Sequence, residues 1–200
     1  MSLLHPSNFN RSLADDRLRI IAAALLEVRH DTLVLLSSPY DDNYTRESTV
    51  FGRQRNLLIE MAMGPENDWM TLAHAGMDLT FFIDEVPCRF FTDDSETPRK
   101  GGFFKRNAVD SLFASDDRLP VMWRFVVEPA LSEDGEDRVL FVGFNVYQEK
   151  VSQWVFRPSM PTLHSVGDEP PVATPLPAAS VELIDDESDT GEGRATEGRG

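Results

Sequence analysis

The stretch "TLVLLSSPYDDNYTRESTVFGRQRNLLIEMA", residues 32–62, decides the fold. It holds three apolar runs separated by polar residues. "TLVLLSS" (32–38) is short, apolar and rich in strand-forming residues, as are "TVFG" (49–52) and "RNLLIEMA" (55–62). Runs of this length and composition read as strands, and the polar cluster "PYDDNYTRES" as the loop that joins them. The expectation is therefore three strands here, with one helix before them. That helix is marked by Leu18, Ile21, Ala22, Leu25 and Val28 at helical spacing, with Ser12 as cap, Asp15 completing an approximate capping box, and Arg29 and His30 at its end.

Downstream, strand patterns dominate. "WMTLAH" (69–74) follows the turn "GPEND". "MDLTFFI" and "VPCRFF" flank Asp84-Glu85, a tight hairpin connection, although Pro87 suggests a sheet edge. "AVDSLFAS" (108–115) is expected to form a turn or two of helix. "VMWRFVVEP" (121–129) and "RVLFVGFNVY" (138–147) flank "SEDGED", where Asp134-Gly135 is a hairpin signal, and "KVSQWVF" (150–156) can return as a further strand. The fold class expected is α+β: an N-terminal helix packed on an antiparallel meander or small split β-barrel, with a disordered acidic tail. Residues 1–10 read as a flexible N-terminus, 11–92 as helix plus small barrel, and 93–118 as a connecting segment with a short helix. Residues 119–156 read as antiparallel strands completing the same barrel or a second, degenerate one. The tail, 157–200, lacks Phe, Trp and Tyr, and carries nine acids against three arginines, so 3 − 9 = −6 of the formal charge of −15. Such a segment buries too little apolar surface to offset its ordering entropy. Within it, Val181, Leu183, Ile184, Asp185 and Asp186 form an apolar-then-acidic motif that could pair with a sheet edge on a partner.

Composition excludes several functions. A charge of −15 opposes general nucleic-acid binding, which neutralises phosphates with a basic face. Apolar runs stay far below membrane-spanning length, and the start lacks the pattern of a signal peptide, so a cytoplasmic protein without membrane insertion is expected. One cysteine, Cys88, forms no internal disulfide and reads as an inert core residue. The histidines His5, His30, His74 and His164 lack a nucleophile elbow or metal-ligand spacing. Trp69, Trp123 and Trp154 alternate with apolar neighbours and read as core. No catalytic residue, metal or cofactor is assigned, and an enzyme is the least supported class.

One basic island interrupts the acidity: "RKGGFFKRNAVD" (99–110), with Arg99, Lys100, Lys105 and Arg106 beside two glycines and two phenylalanines. It could receive a phosphate or neutralise Asp93, Asp94 and Glu96. "STVFGRQRNLLIEMAMGPENDWMTLAHAGMDLTFFIDEVPCRFF", preceded by a helix ending "AALLEVRHDTLVLL", resembles the N-terminal domain of bacterial flagellar brake proteins over about residues 17–92. That resemblance implies a split barrel, and after it a PilZ barrel binding cyclic di-GMP through R-x-x-x-R and a later D/N-x-S-x-x-G. Counted from Arg106, the second arginine falls on Asp110, and "FVGFNVYQEK" lacks the later motif. The resemblance therefore implies a missing or degenerate nucleotide site. The resulting expectation is a non-enzymatic regulator or adaptor acting through protein–protein contacts, PilZ-like and motility-related. One alternative is a cyclic-dinucleotide or other anion sensor using the 99–106 loop; another is an acidic secretion chaperone or nucleic-acid mimic.

Overall fold

The structure, a computed structural model, describes residues 3–105, 119–130 and 135–158. Two long helices come first: α1 (Asp15–Leu35) and α2 (Asn43–Met63). Six strands follow: β1 (Met70–His74), β2 (Thr80–Ile83), β3 (Val86–Thr92), β4 (Met122–Glu128), β5 (Arg138–Phe144) and β6 (Lys150–Phe156). They form one sheet in sequence order. All neighbours are antiparallel except β3 and β4, which pair in parallel from Cys88↔Trp123 to Thr92↔Val127. The α+β class holds. The barrel does not, because β1 and β6 each have one strand neighbour and remain edges. The strands of 119–156 extend the same sheet as β1–β3.

The opening stretch is where sequence reading departs from structure. None of the three expected strands forms: residues 32–35 of the first complete α1, the second and third, 49–52 and 55–62, lie within α2, and the expected loop 39–48 spans the inter-helix connection and the start of α2. Asp42 caps α2 by accepting a hydrogen bond from the Thr45 N–H at 2.7 Å. Ser12 does not cap α1; Ala14 occupies that position, with Asp15 and Asp16 in the first turn favoured by the helix dipole. Nor does Arg29 end the helix, which runs one and a half turns further.

Helices α1 and α2 form an antiparallel hairpin on one face of the sheet. The stripe Leu18, Ile21, Ala22, Leu25 and Leu26 meets Trp123, Phe125, Phe141 and Trp154 in the main core. Leu58 of α2 joins the same core, and Phe51 stacks on Phe90 with ring centroids 5.2 Å apart. A buried ion cluster locks the hairpin: Arg29 donates to Glu47 from both terminal nitrogens (3.1 and 3.0 Å) and to Asp137 from Nε (2.7 Å). Burial pulls the Arg29 pKa down, but its hydrogen bonds to Glu47 and Asp137 outweigh this and hold it above the ordinary arginine value. Gln54 Nε2 donates to the Leu25 carbonyl, while its buried Oε1 has no partner among the described residues.

Strand β4 is buried at all seven positions, so both sheet faces are covered there. The β2–β3 hairpin turns at Asp84-Glu85 as expected, with Asp84 in the left-handed region at φ 48°. Pro87 is not at an edge: β3 lies between β2 and β4, and the ladder to β4 begins one residue later, at Cys88. The β4–β5 connection spans 129–137, longer than a tight hairpin, and Asp134 lies outside the described residues, as does the expected helix at 108–115.

Candidate functional site

The basic island lies on the sheet face opposite the helices. Alternation along β3 and β4 points Arg89, Phe91, Met122, Arg124 and Val126 to this side, where they meet Leu140, Val142 and Phe144 of β5. Phe103 is fully buried among them, its ring 5.0 Å from Phe91 and 5.6 Å from Phe144. Two buried arginines, register partners across the parallel seam, pull the loop down by its main chain. Arg89 donates to the carbonyls of Gly102 (3.3 Å) and Lys105 (3.1 Å), and pairs with Asp78 at 2.7 Å. Arg124 donates from Nε to the Phe103 carbonyl at 3.1 Å. Guanidinium groups suit this role because each offers several donors in a fixed plane.

The loop's own cations are thereby turned outward. Arg99, Lys100 and Lys105 are exposed and make no ion pair among the described residues; Arg106 lies outside them. Of the three, Arg99 lies close enough to favour the Asp94 carboxylate, and none forms an ion pair with Asp93, Asp94 or Glu96 among the described residues. Asp93 accepts the main-chain N–H groups of Arg99 and Lys100, and Glu96 pairs with Lys150. The Thr97 and Glu96 N–H groups hold the Asp94 carboxyl below the usual range, with the nearby Arg99 charge adding to this. The loop is a clamped cover whose three cationic side chains form no ion pair among the described residues.

The chemistry-bearing residues elsewhere are scattered. Cys88 is buried on the helix side. His5 accepts the Ser7 N–H and His74 and His30 are exposed, while His164 lies outside the described residues. Among the described residues, no three His, Cys, Asp or Glu side chains gather as metal ligands. Trp123 and Trp154 are core residues as expected, Trp154 donating to Asp15 at 2.7 Å; Trp69 is partly buried under the Arg17 guanidinium. The motif Val181, Leu183, Ile184, Asp185 and Asp186 lies outside the described residues.

Two further surfaces stand out, the first of which the sequence reading missed. The first is the tip of the helical hairpin. Val34 and Leu35 at the end of α1 are 62% and 63% exposed, and Tyr40 and Tyr44, at the start of the return, are 92% and 79% exposed. Asp31 and Asp42 flank them, also exposed, while Arg46 is tied to the Leu36 carbonyl at 2.9 Å. The signal was the run "LVLL" itself, strongly apolar yet placed where no core reaches. The second surface is the β6 edge. Its outer side opens on a groove of about 530 Å³ lined by Glu96, Arg138, Leu140, Gln153, Val155 and Arg157. A larger cleft of about 590 Å³ at the sheet's end is lined by Asp93, Asp94, Glu128 and Glu136 together with Arg138 and Arg157.

Comparison of the chain with family models, curated proteins and solved structures gave no match. No helix among the described residues is long and apolar enough to cross a membrane.

Proposed function

We infer that this protein is a non-enzymatic adaptor or regulator that works by docking onto other proteins. The observation that carries the reading is the hairpin tip, where Val34, Leu35, Tyr40 and Tyr44 leave their side chains in water. Four large apolar or aromatic residues at one end of an element cost solvation free energy that a monomer has no reason to retain. Tyrosine in particular combines a large contact area with a polar end, which suits an interface. A photo-crosslinking amino acid placed at Tyr40 in the native host should yield one discrete protein adduct, and Leu35→Ser with Tyr44→Ser should abolish it. A failure to form any discrete adduct would sink the proposal. The resemblance of residues 17–92 to flagellar brake proteins suggests a motility setting; loss of the gene should then change swimming, and unchanged swimming would remove that setting.

A second reading has its own observation. Arg99, Lys100 and Lys105 are exposed, without an ion pair among the described residues, on a loop that Arg89 and Arg124 hold in place, an arrangement suited to an anion such as a cyclic dinucleotide. Calorimetric titration with cyclic di-GMP decides it: saturable heat lost in Lys100→Ala with Lys105→Ala supports a sensor, and a flat titration eliminates it.

A further inference from the structure

The β6 strand carries its own precedent for a ligand. Leu4 of the N-terminal arm forms an isolated parallel bridge to Ser152, and its carbonyl accepts from the Gln153 N–H at 3.2 Å and from Ser152 Oγ at 2.9 Å. The arm then turns away, since Pro6–Asn8 form a 3-10 turn and Phe9 packs edge-on against Trp123. Main-chain groups alternate sides along a strand, so Val155, two residues beyond Gln153, faces the same edge. Beside that edge, Val155 is 40% exposed above the groove it shares with Leu140. The charges in the groove are mostly spent: Glu96 is held by Lys150 and Arg138 by Glu128. Arg157 makes no ion pair among the described residues.

From these observations we propose that β6 binds an extended segment of a partner protein, running parallel to it, with aliphatic side chains at alternate positions and a carboxylate opposite Arg157. The arm shows the orientation and the main-chain bonds; the incoming strand takes over Leu4's bond to Gln153 and continues past Val155. Aliphatic side chains on its groove side cover Val155, and main-chain pairing supplies the rest of the affinity. Lys150, the bulge beside it and the arm at Ser152 and Gln153 protect only the first half of this edge; from Trp154 to Phe156 it carries no charge and no covering strand among the described residues. The proposal rests on the adaptor reading but uses a different surface from the hairpin tip.

The test is a nuclear magnetic resonance titration of the full chain with a blocked peptide, Ser-Val-Thr-Val-Glu-Val-Glu-Ser. The amides of Gln153 and Val155 should shift saturably. Val155→Pro removes one edge donor without touching the β5 ladder, and should weaken binding roughly tenfold or more. Arg157→Glu should weaken it further by repelling the glutamates. Should Val155→Pro fail to fold, the same loss is expected from a peptide N-methylated at alternate residues against the unaltered chain. The proposal is overturned by the absence of saturable shifts at millimolar peptide, by shifts mapping away from β6, or by N-methylated peptide binding equally well. It is also overturned if the β6 amides broaden with protein concentration alone, because a second copy would then hold the edge. None of these failures touches the cross-link at Tyr40, so the two readings fall separately.

Discussion

Gln54 shows how a single residue can hide an element. It sits between Val50 and Leu58 at four-residue spacing, fully buried, so the inner face of α2 reads apolar, polar, apolar. Its side-chain oxygen lacks a partner among the described residues, which is costly in a dry interior. Gln54→Met keeps the volume and removes that acceptor, and should raise unfolding stability by about 1 kcal/mol in urea. Arg29 behaves oppositely. Its guanidinium is buried while Glu47 and Asp137 depend on it, so Arg29→Met should cost about 3 kcal/mol, measured in the same way. Arg29→Lys should recover little, because an ammonium cannot hold Glu47 by two parallel bonds while also reaching Asp137. None of this partnership was legible: Arg29 sits 18 residues from Glu47 and 108 from Asp137, and charge at a presumed helix end needed no partner.

At the scale of elements, local pattern succeeded where a single face or a turn dictated the structure. The Asp84-Glu85 turn and the near-continuous apolar runs "VMWRFVVEP" and "RVLFVGFNVY" marked β2 to β5, and the Leu18–Leu25 stripe marked α1. Pattern failed in α2, where Thr49, Val50 and Phe51 favour strands, Gly52 looks like a break, and Gln54 interrupts the stripe. It failed again at Leu33–Leu36, whose apolarity belongs to the surface rather than to a core. The parallel seam had one faint sign, the long connection between Thr92 and Met122, which is the length a crossover needs. Packing between strands also sets a strict limit at Gly143. It faces Trp123 across β4–β5, and a Cβ there would lie 2.8 Å from the indole and 2.9 Å from Pro120. Gly143→Ala should therefore destabilise by about 2 kcal/mol in urea unfolding; an unchanged midpoint would mean the indole is free to move.

For the whole molecule, surface charge predicts how stability responds to acid. Asp15, Asp42, Asp84 and Asp94 are all held below the usual aspartate range, Asp15 by the Trp154 indole and Asp42 by the Thr45 N–H. Groups with lowered folded values contribute fully above their unfolded pKa and lose that contribution as pH falls through the folded ones. The melting temperature should thus be level through neutral pH and fall below about pH 4. Asp42→Asn, which keeps the cap but not the charge, should flatten that fall. The tip variants Leu35→Ser and Tyr44→Ser should leave the neutral melting temperature within about 2 °C, since exposed side chains add little to the folded state. The sheet order also has a consequence for synthesis. Helix α1 packs over β4, β5 and β6, the last of the described strands in chain order, whereas α2 packs beside β1. Leu18, Ile21 and Leu25 therefore wait for about 130 residues of chain before their permanent cover exists. During that interval the nascent protein carries a helix whose apolar stripe is uncovered, and it is this stage, more than the finished molecule, that calls for a chaperone.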